Sequence, residues 1–151
     1  GAVELLLALL ECGPDTVTAE CAAQGLAALC RSHPANQALL SDVGGLHALL
    51  RHLSSGPHSL LAKGASIALA SALGDNPGNQ NIVRDSGGAL ILLDMLRSGP
   101  QNPIVVPVLH ALRELVKDNR VAQSELGEAG GCSAVLRFLR SEAASREIVR
   151  E

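Results

Sequence analysis

Gly44-Gly45-Leu46-His47-Ala48-Leu49-Leu50-Arg51-His52-Leu53 decides the fold, because the chain writes the same phrase again. Gly87-Gly88 opens Ala-Leu-Ile-Leu-Leu-Asp-Met-Leu, ending at Leu96, and Gly130-Gly131 opens Cys-Ser-Ala-Val-Leu-Arg-Phe-Leu, ending at Leu139. Gly1 begins a fourth version that reaches Leu9. Gly45, Gly88 and Gly131 recur every 43 residues. A fixed period of this size predicts an α-solenoid, in which each unit buries its apolar face against its neighbours.

The register reaches past the glycines. Leu5, Leu49, Leu92 and Val135 align, as do Leu6, Leu50, Leu93 and Leu136, and then Leu9, Leu53, Leu96 and Leu139. Further on, Ala22, Ala65 and Val108 share a position, followed by Gly25, Ala68 and Ala111, then Leu26, Leu69 and Leu112. A connector repeats too: His33-Pro34-Ala35-Asn36 matches Asn76-Pro77-Gly78-Asn79.

Each period divides into three helical pieces. Short first helices are predicted at 35–42, 78–85 and 120–128, each ending at a glycine pair. The first glycine of a pair suits the left-handed turn that stops a helix. The second lets the chain reverse without a Cβ clash. The leucine-rich second helix follows, with apolar residues on one stripe. Linkers Ser55-Gly56-Pro57 and Ser98-Gly99-Pro100 end two of these. Third helices are predicted at 16–31, 59–73 and 103–117, with small residues (Ala22, Gly25, Ala65, Ala68, Ala111) at close crossings. Pro103 after Asn102 reads as a first-turn proline, and Pro107 should kink that helix or delay its start. The repeats run as a partial unit 1–34, units 35–77 and 78–119, and a partial unit 120–151.

Composition agrees. The 151 residues are 47% hydrophobic but 1% aromatic, a Leu/Ala/Val core suited to closely packed helices rather than sheets. The net charge of −3 gives no basic face for nucleic acid. The longest apolar stretch, Ala2–Leu10, contains Glu4 and is short of a membrane span. No signal peptide is evident. Cys12, Cys21, Cys30 and Cys132 form no Cys-x-x-Cys pair, and Cys30 aligns with Leu73 and Val116, as a small buried hydrophobe would. Reduced thiols place the chain in the cytoplasm or nucleus.

The pattern resembles the armadillo repeat. The matching residues are Glu-Ala-Gly-Gly at 128–131, the Ile82-to-Gly87 stretch, the Gly-x-x-x-Leu-Leu-x-x-Leu second helices, and the third-helix segments Ala22–Leu29 and Ala65–Ala72. HEAT repeats compete less well, having two helices per unit. The resemblance implies an all-α, right-handed solenoid of about three and a half three-helix units, with a concave groove lined by the third helices.

No chemistry is visible. The glycines lack the Lys-Ser/Thr of a phosphate loop. His33, His47, His52, His58 and His110 form no metal-chelating pair, and no nucleophile–base set can be assembled. The expectation is a non-enzyme without cofactors. The resemblance points to the groove as a site for a protein partner, a peptide or helix. Importin-alpha-like members carry Trp and Asn ladders there. The aligned residues here are Gln24 and Ala28, Ile67 and Ser71, and His110 and Glu114, so that mechanism does not carry over. Nor is there the basic row of beta-catenin-like members. The candidate groove residues are Glu20, Gln24, Arg31, Lys63, Ile67, Ser71, His110, Glu114 and Lys117, a mixed-charge set. It suits an amphipathic partner with modest salt dependence. The other reading is a structural or autoinhibitory segment packed against further domains.

The ends suggest a fragment of a longer array, stacked against neighbouring repeats of the same chain. Leu7 and Leu10 replace polar residues of the later units, and Val3, Leu6, Leu7 and Leu10 are expected to expose apolar surface. Residues 145–151 read as the opening turn of another third helix. The eleven leucines Leu5, Leu6, Leu9, Leu49, Leu50, Leu53, Leu92, Leu93, Leu96, Leu136 and Leu139 are expected to be buried.

Overall fold

Both roles of the glycine pair are visible in the backbone. The computed structural model describes residues 1–13, 16–99 and 101–148. In it Gly44, Gly87 and Gly130 have φ of 76°, 73° and 79°, the left-handed region that ends a helix. Their partners are crowded instead. A Cβ would stand 2.8 Å from the Leu40 carbonyl oxygen at Gly45, 2.7 Å from that of Val83 at Gly88, and 2.8 Å from that of Leu126 at Gly131. The next helix therefore starts hard against the last turn of the one before.

The chain is all helical, with no strand among the described residues. The first two helices are α1 (Ala2–Leu10) and α2 (Val17–Cys30). A three-helix unit follows, α3 (Pro34–Asp42), α4 (Gly45–Leu53) and α5 (Leu60–Leu73). The next comprises α6 (Pro77–Asp85), α7 (Gly88–Met95, continued by a 3-10 turn over Leu96–Ser98) and α8 (Val105–Val116). The last two are α9 (Arg120–Glu128) and α10 (Gly131–Ile148). Equivalent helices of successive units lie side by side: α2 on α5, α5 on α8, α4 on α7, and α3 on α6. That stacking makes a helical-repeat solenoid.

The start of each short helix is built alike. Ser32, Asp75 and Asp118 take φ of 52°, 52° and 54°, reversing the chain after a third helix. The next residue caps the new helix. His33 Nδ1 accepts from Asn36 N–H at 3.2 Å, Asn76 Oδ1 from Asn79 N–H at 3.1 Å, and Asn119 Oδ1 from Ala122 N–H at 3.1 Å. Pro34 and Pro77 occupy the first helical position, where no N–H is needed.

Side-chain amides then tie units together. Asn79 Nδ2 donates to the Ala72 carbonyl of its neighbouring helix at 2.9 Å and to the Gln37 carbonyl of the preceding unit at 3.2 Å. Gln37 Nε2 donates to carbonyls of Cys30 (3.2 Å), Ser71 (2.9 Å) and Gly74 (3.0 Å). These carbonyls lie at the C-terminal ends of α2 and α5, where a helix leaves acceptors unpaired. The buried amides satisfy them.

Pro107 delays α8, as its missing N–H predicts. The helix begins at Val105 rather than at Pro103, and Asn102 Oδ1 accepts from Ile104 N–H at 3.0 Å ahead of it. Ala22, Ala65, Ala68 and Ala111 are buried at the crossings, and Gly25 faces Leu6. α5 approaches α2 closely at Gly64, where a Cβ would stand 2.9 Å from that of Ala23.

The central leucines Leu49, Leu50, Leu53, Leu92 and Leu96 are buried, and Leu6, Leu9 and Leu93 are partly so. Three expectations fail. Leu5, Leu136 and Leu139 are exposed by 63%, 55% and 52%, because no helix lies over those faces of α1 and α10. Conversely, Val3 and Leu10 are buried rather than presented to solvent, since α1 packs on both α2 and α3. Leu6 and Leu7 are half-buried.

The tail also departs from expectation. α10 runs unbroken to Ile148, so 145–148 continue a second helix instead of opening a third. Residues 149–151 of that expected helix, and Pro100 of the second linker, lie outside the described residues.

His52 is a local imperfection. It is buried, and its Nε2 has no hydrogen-bond partner, with Glu11 Oε1 3.5 Å away. Arg51 pairs with that same carboxylate oxygen. One repeat later the position holds buried Met95. Replacing His52 by methionine removes an unpaired buried polar atom at similar volume. It is expected to stabilise by about 1 kcal/mol, read from chemical denaturation midpoints.

Candidate functional site

The third helices decide where a partner can lie, because they form one continuous face. A groove of about 760 Å³ runs between the turn after α2 (Arg31, Ser32), the first turn of α3 (Pro34, Gln37), α5 and α8. Six of the nine residues expected to line it do so: Arg31, Ile67, Ser71, His110, Glu114 and Lys117. Glu20, Gln24 and Lys63 do not. They sit nearer the N-terminal ends of α2 and α5, and Gln24 Nε2 donates to Glu20 Oε1 at 3.3 Å. The row Gln24, Ile67, His110 is thus joined only at its last two members.

Sequence reasoning missed Asp75, Val106 and Arg113 among the lining residues. Asp75 lies in the turn after α5, where left-handed φ turns the chain toward the groove. Val106 is a large apolar side chain left exposed on the first turn of α8. Arg113 directly precedes Glu114, and a helix face one residue wider would have included it.

Charges in the groove are arranged in pairs. Lys117 Nζ lies 2.6 Å from Asp75 Oδ1, bridging two units. That hydrogen bond and the charge behind it hold the Asp75 carboxyl below its ordinary range and the Lys117 ammonium above its own. Both groups are solvated, so the bridge orients side chains more than it adds stability. Arg113 pairs with Glu114 at 2.9 Å. Ile67, half-buried, and Val106 supply apolar surface between these pairs.

No cluster of three or more His, Cys, Asp or Glu that could hold a metal occurs among the described residues. Burial pushes the Cys30 thiol up to about 11, so this cysteine stays protonated near neutral pH and serves as core. Cys12, Cys21 and Cys132 are exposed and unpaired with one another. No helix among the described residues is long and apolar enough to cross a membrane.

Residues 35–150 match the family model described as the SIL1/FES1/HPBP1 C-terminal domain. This overturns the assignment to the armadillo family made on the glycine pairs and leucine helices. Those features follow from the geometry of stacking three-helix units, so they do not by themselves distinguish one family of helical solenoids from another. No curated protein and no solved structure matches the chain. The matched span takes in α3 to α10 and most of the groove. It leaves out α2 and Arg31.

Proposed function

We propose, for a chain that belongs to the SIL1/FES1/HPBP1 C-terminal domain family, a non-catalytic protein-binding module that docks an Hsp70 chaperone and speeds its nucleotide exchange. The family match carries this reading. It is supported by a groove that crosses successive units and combines apolar surface with oriented charge pairs, as an extended protein surface requires.

A scaffold without reactive groups promotes exchange by differential binding. It must prefer the conformation of the chaperone that has released nucleotide. By linkage, it then lowers nucleotide affinity by the same factor by which nucleotide lowers its own. A tenfold effect needs about 1.4 kcal/mol of preference. The packing of α2 on α5 and of α5 on α8 supports this reading, since a close-packed face would resist adapting equally to both conformations.

The test is release of a fluorescent ADP analogue from the ATPase domain of an Hsp70. The chain is expected to accelerate release. Ile67→Glu, in the groove, should weaken the effect by about tenfold or more, since a charge would be desolvated against the partner. Arg51→Glu, on α4 outside the groove, should leave it near wild type. Circular dichroism checks that both variants are folded. Absence of binding and of acceleration by the wild-type chain would sink the proposal. Loss through Arg51→Glu with Ile67→Glu intact would move the site to the other face.

A further inference from the structure

We infer that Arg31 is the groove's specificity anchor, and that it takes a carboxylate from an acidic residue of the docked protein while neighbouring apolar side chains of that protein pack on Ile67 and Val106. The inference rests on the docking reading above and deepens it.

Three strong cations line the groove: Arg31, Arg113 and Lys117. Two are already matched. Lys117 holds Asp75 at 2.6 Å, and Arg113 holds Glu114 at 2.9 Å. Asp75 and Glu114 are also the only two carboxylate residues in the lining. Among the described residues nothing pairs with the Arg31 guanidinium, which is exposed. The groove therefore carries one unspent positive charge, and it lies at a fixed place.

That place is well defined by the backbone. Arg31 is the residue that closes α2, and its N–H donates to the Ala27 carbonyl at 3.2 Å. Ser32 then turns left-handed, and His33 caps α3. The side chain thus leaves from a braced corner between two helices and reaches toward the apolar strip of Ile67 and Val106. A guanidinium matches a carboxylate through two parallel N–H···O bonds, which fixes direction as well as sign. The complement is a protein surface element with an acidic side chain beside apolar ones. A basic element would meet this unspent cation, with both carboxylates already engaged.

The experiment measures binding of the Hsp70 ATPase domain by the 151-residue chain, using wild type, Arg31→Glu, Arg31→Lys and the control Arg51→Glu. It is run at about 50 and about 300 mM salt. Arg31→Glu is expected to weaken binding about tenfold at low salt, and Arg31→Lys about threefold, since lysine keeps the charge but loses the two-bond geometry. Raising the salt should weaken wild type more than Arg31→Glu. If Arg31→Glu binds within twofold of wild type while Ile67→Glu still loses binding, the groove stands and the anchor is overturned. If Arg31→Lys equals Arg31→Glu, charge is not what the site reads, and the inference also fails. No binding by wild type overturns the docking reading and the anchor with it.

Discussion

Replacing Gly88 by alanine is expected to destabilise the protein by about 3 kcal/mol, near the upper end of what overpacking costs. The added methyl would stand 2.7 Å from the Val83 carbonyl oxygen, and backbone cannot swing aside as a flexible side chain can. Alanine's better helix propensity returns at most about 1 kcal/mol. The adjacent glycine provides the contrast. Gly87 has nothing within 4 Å of its ideal Cβ, and its need is purely the φ of 73°. Asparagine tolerates that region, so Gly87→Asn should cost about 1 kcal/mol or less, whereas Gly88→Asn should be at least as damaging as alanine. Urea midpoints of the three variants decide it. Equal costs at both positions would mean that the two glycines do the same job, which the geometry denies.

Leu53→Ala should be costlier still on average, about 2–5 kcal/mol. Leu53 is fully buried between α4 and the helices packed on it. Leu139 occupies the same place in the repeat, yet it is 52% exposed. Leu139→Ala is therefore expected to change stability by no more than about 0.5 kcal/mol. A pair of denaturation curves tests the repeat register and the difference between units at once. Comparable losses from both would mean that Leu139 is covered in solution.

These two pairs also mark what could be read in advance. Gly44-Gly45 and its copies carry a local demand, one residue for φ and the next for space, and local demands are legible from residue type. The helices between them fell where the pattern put them, within a residue or so for the short ones and for the leucine-rich ones other than α10. Burial is not local. Leu5, Leu136 and Leu139 hold the same repeat positions as buried counterparts such as Leu49, Leu50 and Leu53, but burial needs a helix from elsewhere to come down on them. The long α10 has a sequence cause that was passed over. Ser55-Gly56-Pro57 stops the leucine helix of one unit, and the corresponding Ser141-Glu142-Ala143 contains no glycine or proline.

The groove was legible where register alone sufficed. Ile67 and His110 share a repeat position and both line it, while Asp75 joins only because a turn brings it to Lys117. The family was not legible from the same evidence. Periodicity reports how units stack, and a solenoid's partner is chosen by surface residues that stacking leaves free to vary.

The amide of Gln37 has a thermodynamic meaning beyond its geometry. Its Nε2 touches the ends of two successive long helices, its Oε1 accepts from Asn76, and the backbone carbonyl of the same residue receives Asn79 from the unit beyond. Melting of the unit beyond would break these bonds, uncover the apolar surface packed with them and leave the Gln37 groups to water. The melting of a repeat is thus charged to its neighbours as well as to itself. In a linear array that coupling separates a chain of beads, each opening alone, from a single cooperative body. The docking proposed for the groove, on a face shared by α5 and α8, would need the second kind.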